Sequence, residues 1–505
     1  MKKKILAFLM ACVVTLSAAA CSGKGQKADG GKKILKTAAS FAYPSLDVHK
    51  EYYGWYTSIY GVSEALFKMN DKMATVPCLA KDAKVDGTKW TVHLKDKVAF
   101  SNGKALKADM VVKNLERVAK LNERFKYFAD FDIKATDDKT IVIDTKEVYP
   151  TLKNDLASPE LGMIDLDSTK DFTNNPICTG PFVIKKFKPE GDVEVVKNKK
   201  YWGGKVKLDG AIFYYMQEDD PKLLAMQSGE IDCYNSVSSA ALEVYKKDPG
   251  KYNVVSIPGA RLQFYILNEN TLDSKLREAI NLTVDKKAIE KYLSGTVTAA
   301  NSPFVPSAKY SKVNIPKIDK KKAVKLIEED GYVKGKDGFY QKDGKKLNIR
   351  IAYYSARSLD TLALLIQEQL KAIGVDSTLR VEEDPDSTYI KDQQFDLALY
   401  CMISDKSGDP LYFIDSTLKE GSYYDCGGFN NEECEALINK LKYEVNPDKR
   451  AALANKIIQI AIDDNAFGYV GLFNNTTVLR KGTSGFAEKI PFDFYGLDKD
   501  TDISK

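Results

Sequence analysis

Residues 348–400 constrain the fold more tightly than any other stretch of this chain. Three short apolar runs, at 348–353, 375–381 and 395–400, alternate with helical patterns at 359–373 and 387–392. Leu359, Leu362, Ile366, Leu370 and Ile373 recur at helical spacing, an apolar stripe that needs a sheet to cover it, and Gly374 stops the helix. A strand–helix–strand–helix–strand order at this spacing predicts parallel strands joined by crossovers, and so an α/β lobe. The segment after the last strand, Asp405-Lys406-Ser407-Gly408-Asp409-Pro410, then sits at the carboxyl ends of those strands, where open α/β sheets face a ligand crevice.

A different unit is written into 90–117. Trp90, Val92 and Leu94 alternate with Thr91, His93 and Lys95, the period of a strand with one buried face. Ser101-Asn102-Gly103 supplies a tight turn, and Val111, Val112, Leu115, Val118 and Ala119 then share one helical face. With 505 residues the chain can build two or three packed units. Its 44% apolar and 29% charged residues read as globular. The 75 basic and 70 acidic residues leave a net charge of only +5, which gives no electrostatic case for nucleic acid.

Enzyme chemistry finds little to work with. The only histidines are His49 and His93, and the chain has no H-E-x-x-H, no G-x-S-x-G and no Walker loop. No catalytic residue and no cofactor is expected. Six cysteines lie beyond residue 21, namely Cys78, Cys178, Cys233, Cys401, Cys426 and Cys434, with no C-x-x-C pair to suggest zinc or redox chemistry. Scattered free thiols are expected.

The N-terminus reads as an export signal. Lys2-Lys3-Lys4 precedes an apolar run at 5–16, too short for the roughly 20 residues a bilayer requires, and Ala18-Ala19-Ala20-Cys21 follows. The cut before a cysteine resembles a bacterial lipobox, although Ala18 stands where Leu is usual; a lipid on Cys21 is the expectation, with ordinary cleavage the alternative. Residues 21–33 are rich in Gly and Lys and read as a flexible tether.

Several stretches share one resemblance: VAFSNGKALKADMVV at 98–112, PICTGPF at 176–182, NKKYWGG at 198–204, MQSGEID at 226–232, LREAINLTVD at 276–285 and AVKLIEEDGY at 323–332. In this order, over nearly the whole mature chain, they resemble the large extracytoplasmic solute-binding proteins of ABC importers, the peptide- and nickel-binding family 5. The resemblance implies a two-lobed α/β fold of the type II periplasmic-binding-protein kind, with an extra subdomain inserted in lobe 1. Lobe 1 would span 34–266, with the inserted subdomain at about 61–175; lobe 2 would span 267–474, and 475–505 would return to lobe 1.

It further implies a monomer outside the cytoplasm, held at the membrane by its lipid. Such a protein captures short peptides between its lobes and delivers them to an ABC permease driven by a separate ATPase. The alternatives are a nickel ion or other metal carried by a chelator, and a surface signalling or adhesion protein on the same scaffold. In peptide-binding relatives an Asp in the loop after a second-lobe strand holds the ligand amine, which implies Asp405, or Asp409 in a shifted register. Arg261 is a candidate partner for the ligand carboxylate, with a surface charge the alternative. Tyr43, Trp55 and Phe128 are the aromatic contact candidates, and Arg124 faces either the solute or solvent. No histidine follows residue 93, so no protein-supplied metal site is expected there; a metal would bring its own ligands.

Overall fold

Two long strands, Tyr252–Leu267 and Phe467–Arg480, form the spine of the computed structural model, pairing antiparallel along most of their length. The structure describes residues 31–383, 385–386, 388–488, 491–492 and 494–504, so the leader, Cys21 and Ser387 lie outside the described residues. On one flank of the spine lie Leu397–Ile403, Asn348–Tyr354 and Asp376–Glu382; on the other lie Cys233–Asn235, Ile34–Ala39, Gly210–Tyr215, Val193–Lys197 and Phe182–Phe187. The ladder register shifts between Pro258 and Leu262 and again between Gln263 and Phe264. An irregularity of this kind bends and twists a strand, here where the chain passes from one flank to the other.

The strand–helix alternation at 348–400 is present as a parallel unit. Asn348–Tyr354 pairs parallel with both Asp376–Glu382 and Leu397–Ile403. Helix Leu359–Lys371 buries Leu359, Leu362, Ala363, Ile366 and Leu370, and Gly374 follows it at φ +87°. The second crossover helix is short, Tyr389–Asp392.

The unit around Trp90 stands apart as a four-stranded sheet, in the order Ala80–Asp86, Lys89–Leu94, Thr140–Asp144, Asp132–Ala135. Helix Ala108–Leu121 packs Met110, Val111, Leu115 and Val118 beneath it. His93 lies on the open face, its Nδ1 2.5 Å from an Asp82 oxygen. One continuous apolar cluster runs from Phe67 and Met69 beside this sheet to Phe264, Phe413 and Ile457 on the far flank of the spine.

The remaining motifs are mostly points of close packing. A Cβ on Gly180 would lie 2.5 Å from the Val62 carbonyl, so this glycine is needed for backbone contact with 61–62. Tyr201 and Trp202 both donate to the buried Glu64 carboxylate, at 2.7 and 2.9 Å. Gly229, at φ +83°, caps helix Asp219–Ser228. The six cysteines named above are buried and unpaired. Among the described residues no helix is long and apolar enough to cross a membrane.

Candidate functional site

Strands from both flanks of the spine end on a common cavity of about 1290 Å³. Ile34–Ala39 runs into it at Ala38 to Phe41, and Leu397–Ile403 at Ile403, Lys406 and Ser407. This is the carboxyl-end placement expected of an α/β sheet. Two helix beginnings also border it, at Ser238–Ser239 and Ser358–Thr361.

Among the described residues the charges lining the cavity are unequal: Arg124, Arg261, Arg357 and Lys406 against one carboxylate, Asp155. Asn122 starts the 3₁₀ turn Glu123–Asp130 by accepting from the Arg124 N–H at 3.2 Å. The Arg124 side chain is then held between an ion pair with buried Glu160 and the faces of Tyr52 and Trp55, 4.5 and 5.9 Å from the ring centres. Burial pushes the Glu160 carboxyl up and Arg124 pulls it down. The Arg261 side chain, on the spine strand, has no hydrogen-bond or ion-pair partner among the described residues. Arg357 has left-handed backbone, φ +54°, and its carbonyl accepts from Gln263 Nε2 at 2.8 Å. Lys406 lies 3.5 Å over the Tyr412 ring.

Asp155 accepts from the hydroxyls of Tyr127 and Tyr149, both at 2.8 Å, and burial pushes its carboxyl up to about 6. Aromatic rings supply much of the remaining wall. Tyr43 stacks on Tyr56 with centroids 3.5 Å apart, and Trp55 lies 5.3 Å from Phe494. Neither histidine is part of the lining. His49 is buried beside Arg117, and burial followed by that positive charge pushes its imidazole down to about 4.

Of the residues expected at the site, Tyr43, Trp55 and Arg261 come together on this lining. Phe128 does not; it packs inward against Phe125, Tyr127 and Phe131, while its neighbours Arg124, Phe125 and Tyr127 line the cavity. Asp405 and Asp409 also lie off the lining. Asp405 is fully buried and accepts from the Tyr310 hydroxyl and from the N–H groups of Ser407 and Gly408. Asp409 forms a two-pronged pair with buried Arg450, at 2.8 and 2.7 Å. The physical reason is competition: internal donors already surround each carboxylate. Arg357, Lys406, Asp155, Phe492 and Phe494 are lining residues that the sequence patterns above do not point to. Lys406 lies in the loop that was singled out, but no local pattern marks the others.

A family model described as "Bacterial extracellular solute-binding proteins, family 5 Middle" matches residues 74–425. The nickel-binding protein NikA of Staphylococcus aureus is 26% identical over 515 residues, covering 100% of both chains. The oligopeptide-binding protein AppA of Bacillus subtilis is 23% identical, covering 99% of each. The crystal structure of a nickel ABC transporter protein from Bacillus halodurans superposes with a TM-score of 0.86 over 94% of this chain and 100% of that one, at 24% identity, a likeness of fold.

Proposed function

The chain belongs to the bacterial extracellular solute-binding proteins of family 5, and on that footing we propose that its solute is a small carboxylate-bearing molecule, a metal ion wrapped in an organic chelator being the preferred form. Family members take up small solutes for ABC permeases, and this chain is the solute-binding component of such an importer. One observation carries the choice of solute: among the described residues four cations, of which Arg124 is paired with Glu160, and one carboxylate line the cavity. Arginine N–H groups pair best with carboxylates, and a site walled from water strengthens the pairing. Among the described residues no group of three or more His, Cys, Asp or Glu side chains is placed to hold a metal ion, so the chelator would supply the ligands.

The cavity exceeds the ~300–1,000 Å³ of ordinary small-molecule sites, which leaves room for an ion with two chelating molecules. A short peptide is the second reading, favoured by Asp155, the one lining carboxylate among the described residues, although the hydroxyls of Tyr127 and Tyr149 already donate to it. Asp405 and Asp409 serve that role poorly because both are engaged internally. A monomer tethered through a lipid on Cys21 completes the proposal. Titration calorimetry with the nickel(II)–L-histidine complex, nickel(II) alone and a dipeptide mixture tests it. The complex is expected to bind and the bare ion not. Binding of dipeptides without the complex would overturn the first reading in favour of the second.

A further inference from the structure

The loop 404–410 has two working faces. One lines the cavity through Lys406 and Ser407. The other meets a distant part of the chain. Asp405 draws the N–H groups of Ser407 and Gly408 inward, at 3.1 and 2.5 Å, while the Tyr310 hydroxyl donates to its second oxygen. The carbonyls of Ser407 and Gly408 both accept from Asn154 Nδ2, at 2.8 and 3.3 Å. Asn154 sits on the short helix Leu152–Asp155, in the stretch that follows the small four-stranded sheet. Gly408 stands at φ +76°, and a Cβ there would fall on the Met69 side chain and lie 2.6 Å from the Met73 carbonyl. The loop therefore packs directly against the 67–77 hairpin as well.

We propose that Asn154 and the loop 404–410 form a clasp that holds the two lobes shut, so that one backbone segment touches the solute on one side and secures closure on the other. A ligand shifts an open–closed equilibrium only through contacts that differ between the two states. A loop that is both wall and clasp couples those contacts to closure. Asn154 and Asp405 are positioning residues here: Asp405 presents the carbonyls and Asn154 joins them. The inference rests on the two-lobed trap described above and does not depend on which solute is trapped.

The test uses the full mature chain, with Cys21→Ser and with spin labels on cysteines placed at exposed Lys72 and Glu420, the six native cysteines among the described residues being buried. Pulsed distance measurements with and without nickel(II)–L-histidine give the ratio of short to long separations. Asn154→Ala is expected to lower that ratio about fivefold in both conditions, the worth of one hydrogen bond, while the melting temperature of the solute-free protein stays unchanged. Gly408→Val is expected to abolish the short separation. The clasp is overturned if both variants keep the wild-type populations, if the wild type shows no short separation in either condition, or if Asn154→Ala lowers the melting temperature together with closure. Should the probe leave the wild type unmoved while Asn154→Ala still lowers the solute-free ratio, the clasp stands and the proposed solute falls.

Discussion

Asp405 carries a carboxyl into the interior, and burial pushes it up to about 7 despite three hydrogen-bond donors. The unfolded chain would titrate near 3.8. Between these values the folded state holds a proton that the unfolded state releases, so stability falls as pH rises from about 4 to about 7. Asp155, pushed to about 6 chiefly by burial, adds a slope of the same sign. Asp405→Asn is expected to flatten the decline, read as the urea midpoint against pH; an unchanged slope would show that Asp405 is not its source. Arg261 poses the opposite case. Its side chain has no intramolecular partner among the described residues, so Arg261→Ala is expected to leave the melting temperature unchanged. It is expected to weaken nickel(II)–L-histidine at least ~10-fold by calorimetry, since hydrogen bonds to charged groups are worth ~1.5–3 kcal/mol. Residue type alone separates these roles badly: Asp405 and Arg261 both read as ligand contacts until their neighbours are known.

Helix Pro447–Asp463 illustrates how an element is fixed. Asn446 caps its start, and Arg450 reaches the Asp409 carboxylate and the carbonyls of Leu441 and Glu444. Asp409→Ala would leave a buried guanidinium unpaired, at a cost of ~3–5 kcal/mol in chemical denaturation. A loss below ~1 kcal/mol would mean that water or a neighbour replaces the carboxylate. Gly180→Ala is expected to cost ~1–3 kcal/mol, because the added methyl meets the Val62 carbonyl and the 61–62 backbone has to shift. At this scale the sequence was most legible. The period-2 run Trp90–Leu94, the stripe of helix Leu359–Lys371 and the parallel pairing of Asn348–Tyr354 all follow from side-chain spacing. The 3₁₀ turn Glu123–Asp130 did not, since Phe125 and Phe128 bury inward while Arg124 turns to the cavity within one short turn.

For the whole molecule, the two spine strands are the mechanical connection between flanks, and the cavity lies where both flanks end. A solute touching Arg124 on one side and Arg357 or Lys406 on the other favours the closed form. Small-angle scattering is expected to show a smaller radius of gyration on adding nickel(II)–L-histidine, and an identical profile with and without a bound solute would contradict closure. Because the attraction is between charges, affinity is also expected to fall as salt rises, less steeply than for exposed pairs.

Side-chain spacing was enough to determine the α/β class and the strand, turn and helix at 90–117, because periodicity and turn chemistry act over a few neighbouring positions, and the ordered motifs were enough to place the chain in its family. Which carboxylates line the cavity and which are consumed by Tyr310 or Arg450 was decided only in three dimensions. Tyr310 lies 95 residues from Asp405 and Arg450 41 from Asp409, and burial, which sets both charge state and access, exists only once the chain has closed on itself.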